Sequence, residues 1–245
     1  MENYSPAPDL LKDRIILVTG AGDGIGRTAA LSYAQHGATV ILLGRTVTKL
    51  EKVYDEIRES GAPEAIIHPM DLQNASAEDY KILGDNILEQ CGRLDGLLHN
   101  AAVLGPRTPL QFYPVDSWMQ LMQVNVNAPF MMTRALLPAL QAAPEASVIF
   151  TSSSVGRKGR AYWGGYSVSK FAVEGLMQVL ADELRQTSAI RVNSIDPGAT
   201  RTAMRKAAYP AEDPSTLKGP EDLMPLYLYV MGSDSKSVTG QALNA

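Results

Sequence analysis

The sequence predicts an α/β fold: one doubly wound, seven-stranded parallel sheet with helices on both faces, in a single domain over residues 1–245. Three observations point there. Short continuous apolar runs alternate with helical patterns from end to end, the rhythm of strand–helix–strand units with right-handed crossovers. The first run passes directly into a glycine-rich turn and then a helix. No linker, internal repeat or shift of composition divides the chain.

The bulk numbers agree with a globular protein and exclude several function classes. A chain of this length buries roughly three quarters of its unfolded surface. Its 45% hydrophobic and 20% charged residues are ordinary for such a domain. A net charge of −4 leaves no footprint for nucleic acid or an anionic membrane surface. The single cysteine, Cys91, excludes an internal disulfide and a cysteine-cluster metal site, and no metal is expected. It reads as a packing residue at a helix end. No apolar run approaches the ~18 residues of a membrane-spanning helix, and the N-terminus lacks a signal-peptide core. A cytoplasmic protein is expected. The end at Ala245 is abrupt, and a few further residues are expected beyond it.

Taken in order, residues 1–13 carry two prolines and little pattern, and read as a tail laid on the surface. Arg14–Thr19 is a short apolar run, the signature of a parallel strand buried on both faces. It leads into Gly20-Ala-Gly-Asp-Gly-Ile-Gly26 and a helical pattern from Arg27. Glycines in that context let the backbone approach a pyrophosphate, whose charge then sits at the helix N-terminus. The spacing is Thr19-Gly20-x-x-x-Gly24-x-Gly26, and the sequence offers no reason for the acid Asp23 inside it.

Residues 37–45 form the second strand, ending at Gly44-Arg45. An acid here would bond a ribose 2′-hydroxyl, whereas an Arg accommodates a 2′-phosphate. Arg45 therefore argues for NADP(H) over NAD(H); its alternative is a solvated residue opening the next helix, 46–60. A strand at 65–70 reaches Asp71-Leu72, before a helix over 76–91. A strand at 93–99 reaches Asn100-Ala101-Ala102, before a proline-containing loop and a long helix over 116–142. A strand at 147–152 precedes a helix over 164–187. The sixth strand, 190–195, precedes Asp196-Pro197-Gly198. Residues 199–222 break the rhythm and read either as a mobile substrate lid or as a surface excursion. A helix over 221–232 and a short strand, 241–244, close the chain.

The chemistry concentrates in the stretch from Ser153 to Lys170. Tyr166 and Lys170 stand four apart at the start of a helix, so they share a face about 5–6 Å apart at Cβ. An ammonium beside a phenol favours the phenolate and moves Tyr toward a working acid/base. Ser153 ends the preceding strand, so its hydroxyl can face that phenol. Alone, the pair reads equally as a half-buried Tyr and a solvated Lys; a dinucleotide site elsewhere in the chain gives it meaning.

Together these motifs resemble a classical short-chain dehydrogenase/reductase over essentially the whole length. The residues that carry the resemblance are Thr19-Gly20-x-x-x-Gly24-x-Gly26, Asp71, Asn100-Ala101-Ala102, Asn125, Ser153, Tyr166 with Lys170, and Pro197-Gly198 with Thr202. The stretches ILVTGAGDGIGR, MQVNVNAPFM and FTSSSVGRKGR are closest to a bacterial branch of oxoacyl-reductase-like oxidoreductases. The resemblance implies a Rossmann-type fold and NADP(H)-dependent interconversion of a carbonyl and a secondary alcohol. It implies Tyr166 as general acid/base, Ser153 on the substrate oxygen, Lys170 on the phenol and the nicotinamide ribose, and Asn125 holding a water. Its cofactor-binding set is Thr19, Gly20, Gly24, Ile25, Gly26, Arg45, Asp71, Leu72, Asn100, Tyr166, Lys170, Pro197, Gly198 and Thr202. One departure is Ala102, where the family usually has Gly, so a methyl is expected on the cofactor side of the cleft. The alternative function is a dinucleotide-binding sensor or scaffold without turnover.

Two further expectations concern partners. Met119, Met122, Met131, Met132, Phe171 and Met177 exceed what one inner face needs, which suggests a homodimer or homotetramer through the helices 116–142 and 164–187. Methionine stripes are also ordinary core. Arg157, Lys158, Arg160, Arg201, Arg205 and Lys206 follow strand ends, so six cations are expected to ring the cleft mouth and favour an anionic substrate. The alternative is solvated loop charges paired with Glu212, Asp213, Glu221 and Asp222.

Overall fold

Seven parallel strands form one sheet in the computed structural model, which describes residues 4–245. The strands are β1 Ile15–Thr19, β2 Thr39–Gly44, β3 Ile66–Pro69, β4 Gly96–His99, β5 Ala146–Thr151, β6 Ile190–Asp196 and β7 Ala242–Asn244. Their order across the sheet is β3-β2-β1-β4-β5-β6-β7. The chain works outward from β1 to β3, then returns to the other side of β1 to lay down β4. That reversal opens a crevice beyond the carboxyl ends of β1 and β4, where ligands bind in sheets of this kind.

The five inner strands each feed two cores. Ile16 and Val18 of β1 join Val40 and Leu42 in a cluster with the helices α1 Gly24–Gln35, α2 Val47–Glu59 and α8 Met224–Met231. Leu17 joins Ile41, Leu43, Leu97, Val148 and Phe150 in a second cluster, with α3 Ala77–Cys91, α5 Ala128–Gln141 and α6 Gly164–Leu184. Alternate strand residues point to opposite faces, which is why the strands read as unbroken apolar runs.

The structure departs from expectation in four places. Helix α1 begins at Gly24, not Arg27, because Asp23 caps it by accepting from the Gly24 amide at 2.8 Å. The long helix expected over 116–142 is divided into α4 Val115–Met122, a π turn Gln123–Asn127, and α5. Pro129 supplies the cause: it has no N–H, and its ring crowds the carbonyl four residues back, that of Asn125. The N-terminal tail is no mere surface strand either, since Leu11 is fully buried in the first core and its amide donates to the His36 carbonyl. Residues 1–3 of that tail lie outside the described residues. Finally, segment 199–222 carries the short helix α7 Ala203–Ala208 and is closed at its base, where Thr200 bridges Lys218.

Candidate active site

A cleft of about 550 Å³ runs along the carboxyl ends of the strands, from the β1–α1 turn to the segment after β6. Its first wall is the glycine turn. Gly20 and Gly24 adopt left-handed backbone (φ 68° and 52°), so at these positions the turn presents main chain to the cleft without a side chain, with Asp23 between them. Thr19 clamps the turn to β4: its Oγ1 accepts from the amides of Asn100 and Ala101 and donates to the Leu98 carbonyl. Thr19 is itself buried behind the wall. Arg45 stands exposed on the rim at the end of β2, with Asp71 and Leu72 beyond β3. Asp71 is held by Gln73 and Asn74.

The opposite wall carries the side chains expected from sequence to be catalytic. Ser153 follows β5 in extended backbone, and Tyr166 and Lys170 reach the cleft from α6. Both α6 residues are almost fully buried. The Lys170 ammonium donates to the Thr151 carbonyl at 2.7 Å and lies 5.6 Å from the Tyr166 ring centre. Burial pulls Lys170 down to about 8, opposed by Glu174 and Asp196. Burial pushes the Tyr166 phenol up from its usual value, and the Asp196 carboxylate adds to the rise. That reverses the expected direction. The lysine faces a main-chain carbonyl, and desolvation of the phenolate outweighs what the ammonium gives.

Of the sixteen residues singled out from sequence, thirteen line this cleft: Gly20, Gly24, Ile25, Arg45, Asp71, Leu72, Asn100, Ser153, Tyr166, Lys170, Pro197, Gly198 and Thr202. Thr19, Gly26 and Asn125 stand behind the wall. Asn125 sits on the π turn with its side chain fully engaged: Oδ1 accepts from the Val103 amide, while Nδ2 donates to the Val103 carbonyl and to Ser169 Oγ. Ser169 Oγ in turn donates to the Tyr166 carbonyl at 2.8 Å. Ala102 lines the cleft, as its methyl was expected to.

The ring of six cations does not form. Arg205 alone of the six lines the cleft, and its guanidinium is paired with Glu212. Arg157 turns the other way, onto Glu174, Asn244 and the Leu243 carbonyl. Arg201 pairs with Glu221. Carboxylates thus occupy three of the six charges, and five of the six do not line the cleft, so the expected cationic rim gives no argument for an anionic substrate. The methionine stripe also divides: Met132 and Met177 are core, whereas Met119 and Phe171 are exposed.

Several cleft residues carried no short-range signal. Ser152 presents a buried hydroxyl with no hydrogen-bond partner among the described residues. Lys49 on α2 pairs with Asp23 across the glycine turn, offsetting a negative charge where a phosphate would sit. Trp163, Met204 and Ala208 close the end nearest Tyr166 in one apolar cluster.

Known proteins share this architecture. The family model for short chain dehydrogenases matches residues 14–213. YciK, an uncharacterised oxidoreductase of Escherichia coli K12, is 54% identical over 243 residues, covering 99% of this chain and 96% of that protein. A structure from Pseudomonas syringae superposes with a TM-score of 0.97 at 59% identity, over 99% of this chain and 98% of that one. Another, from E. coli CFT073 and complexed with NADPH, gives 0.95 at 54% identity, over 98% and 99%. With a family match over that span and near-complete superposition on solved relatives, the chain belongs to the short-chain dehydrogenase family.

Proposed function

We propose that this protein interconverts a carbonyl and a secondary alcohol using NADP(H), with Tyr166 as the general acid/base. One observation carries the reading: Tyr166, Ser153 and Lys170 line the same cleft as a glycine-rich turn at a helix N-terminus. The residues fit the dinucleotide. The turn offers main-chain amides to a pyrophosphate, and the unpartnered Ser152 hydroxyl awaits a polar ligand. Arg45 has no ion-pair partner among the described residues and stands where a 2′-phosphate would be met. The solved relative complexed with NADPH supports the same choice.

When bound, NADPH supplies the hydride. The chain's own residues handle the proton. Burial keeps Tyr166 as the phenol, the form that donates to a carbonyl oxygen as it gains negative charge. Ser153 donates a second hydrogen bond to that oxygen, and the Lys170 ammonium stabilises the phenolate left behind. Asn125 cannot hold a relay water with its side chain, which is occupied. Its carbonyl lacks the usual helical donor, because position 129 is proline, and that carbonyl is the group we assign to the water.

The test is NADPH oxidation against a panel of neutral carbonyl compounds, with binding of NADPH and NADH measured in parallel. NADPH should bind more tightly, by roughly 10- to 100-fold for one charge-assisted phosphate contact. Tyr166→Phe should retain NADPH binding and lose about 10²–10⁴ in turnover. Equal affinity for NADH would overturn the cofactor choice; normal turnover in Tyr166→Phe would overturn the mechanism.

A further inference from the structure

The segment between Thr202 and Leu217 is tied at its base and held at its tip by a residue from a different part of the chain. At the base, Thr200 bridges Lys218 and the Arg201 amide donates to the Lys218 carbonyl at 2.9 Å. Outside helix α7 few main-chain bonds hold the segment: Lys206 to Thr202, Tyr209 to Arg205, Glu212 to Tyr209, Thr216 to Asp213 and Leu217 to Pro214. Its inner side, Thr202, Ala203, Met204 and Ala208, lines the cleft beside Tyr166 and Pro197. A short piece so anchored is the low-stability end of a fold.

Arg107 lies on the loop after β4, some hundred residues away in sequence. Its guanidinium carbon sits 4.7 Å from the Tyr209 ring centre and 4.8 Å from that of Trp163. Its Nη1 donates to the Ala208 carbonyl. The two rings are themselves 5.9 Å apart, so the guanidinium covers the seam where the segment meets the wall that carries Tyr166. Tyr162, one residue before Trp163, takes a left-handed backbone (φ 69°). Left-handed backbone in a bulky residue persists only where the surroundings enforce it.

We propose that Arg107 is a positioning residue that latches segment 202–217 over the reactive end of the cleft, retaining bound NADPH. The inference rests on reading the cleft as a cofactor site. A planar cation suits this task, because it stacks on two rings and still donates in its own plane; a lysine cannot do both. Arg205 does not duplicate it. That residue also lies over Tyr209, at 4.0 Å, but it belongs to the segment and pairs with Glu212 inside it, so it braces the segment without fastening it.

Hydrogen exchange followed by mass spectrometry, with stopped-flow NADPH release, tests this on the full chain. In Arg107→Met, amides of residues 205–212 should exchange roughly tenfold faster, with β5 unchanged, and NADPH release should quicken by a similar factor. Arg107→Lys should fall between Met and wild type. Unchanged exchange in 205–212 overturns the latch. Faster exchange there with unchanged NADPH release overturns its role in retention. A wild-type chain that binds no NADPH sinks the cofactor reading, while the exchange result still decides whether Arg107 fastens the segment.

Discussion

Lys170 is surrounded by opposing influences. Burial pulls its ammonium down to about 8, while the carboxylate of Glu174, one turn on, and then Asp196 push it back up. Glu174 is only 5% exposed and is fixed by Arg157 on one oxygen and Ser194 on the other. The charged lysine is the form that stabilises a phenolate, so kcat/KM for carbonyl reduction should fall as pH rises through about 8. Glu174→Gln removes the larger supporting charge and lowers the lysine further, so the alkaline fall should move to lower pH. The difference is read most clearly near pH 8; a limb that stays in place would show that Lys170 does not set it. Tyr166, Lys170 and Ser153 were legible from sequence because helical spacing and a strand end suffice to bring them together. Glu174 and Arg157 were not. Their partners, Ser194 and Asn244, come from other strands, and only the folded sheet makes a guanidinium that looks like a substrate handle into an internal brace.

At the scale of elements, the β1–α1 turn shows how closely backbone can be packed when side chains are removed. A methyl at Gly26 would meet the Gly20 carbonyl oxygen at 2.3 Å and Asn100 Nδ2 at 2.5 Å. The first is backbone, and the second is a side-chain end tied to the Thr19 carbonyl. Gly26→Ala should therefore push α1 away from β1, destabilise the chain by about 1–3 kcal/mol, and weaken NADPH binding. Denaturant titration beside a binding isotherm checks both; full stability with full affinity would show that the turn yields. This glycine was readable from the strand–turn–helix context. The π turn in the helix 115–141 was not, since one extra residue barely disturbs a 3.6-residue rhythm over so long a span. The signal present was Pro129, placed where its missing N–H alters the surroundings of Asn125. Asp23 is similar: a side-chain cap has meaning only once the start of the helix is known.

At the scale of the whole molecule, helix α6 carries an uncovered apolar stripe. On α6, Val168, Phe171 and Val179 are exposed, and Gly175 between them faces open space. Spacings of three, four and four residues place these on one face of the helix, away from the core that receives Val173, Met177 and Leu180. Phe130 on the neighbouring α5 is 52% exposed. A self-complementary stripe with a glycine at its centre allows a second copy of α6 to approach closely about a two-fold axis. We therefore expect a dimer or a higher even-numbered assembly. The methionine count led to the same pair of helices for an imperfect reason, because Met132 and Met177 point inward and, of the methionines named, Met119 alone is among the exposed large hydrophobics, beside Phe171, Val168 and Val179. Light scattering at micromolar concentration should give at least twice the monomer mass. Phe171→Glu with Val179→Glu should reduce it to the monomer, since a carboxylate desolvated at such an interface has no partner. A wild-type chain that runs as a monomer would show that the stripe is simply tolerated exposure.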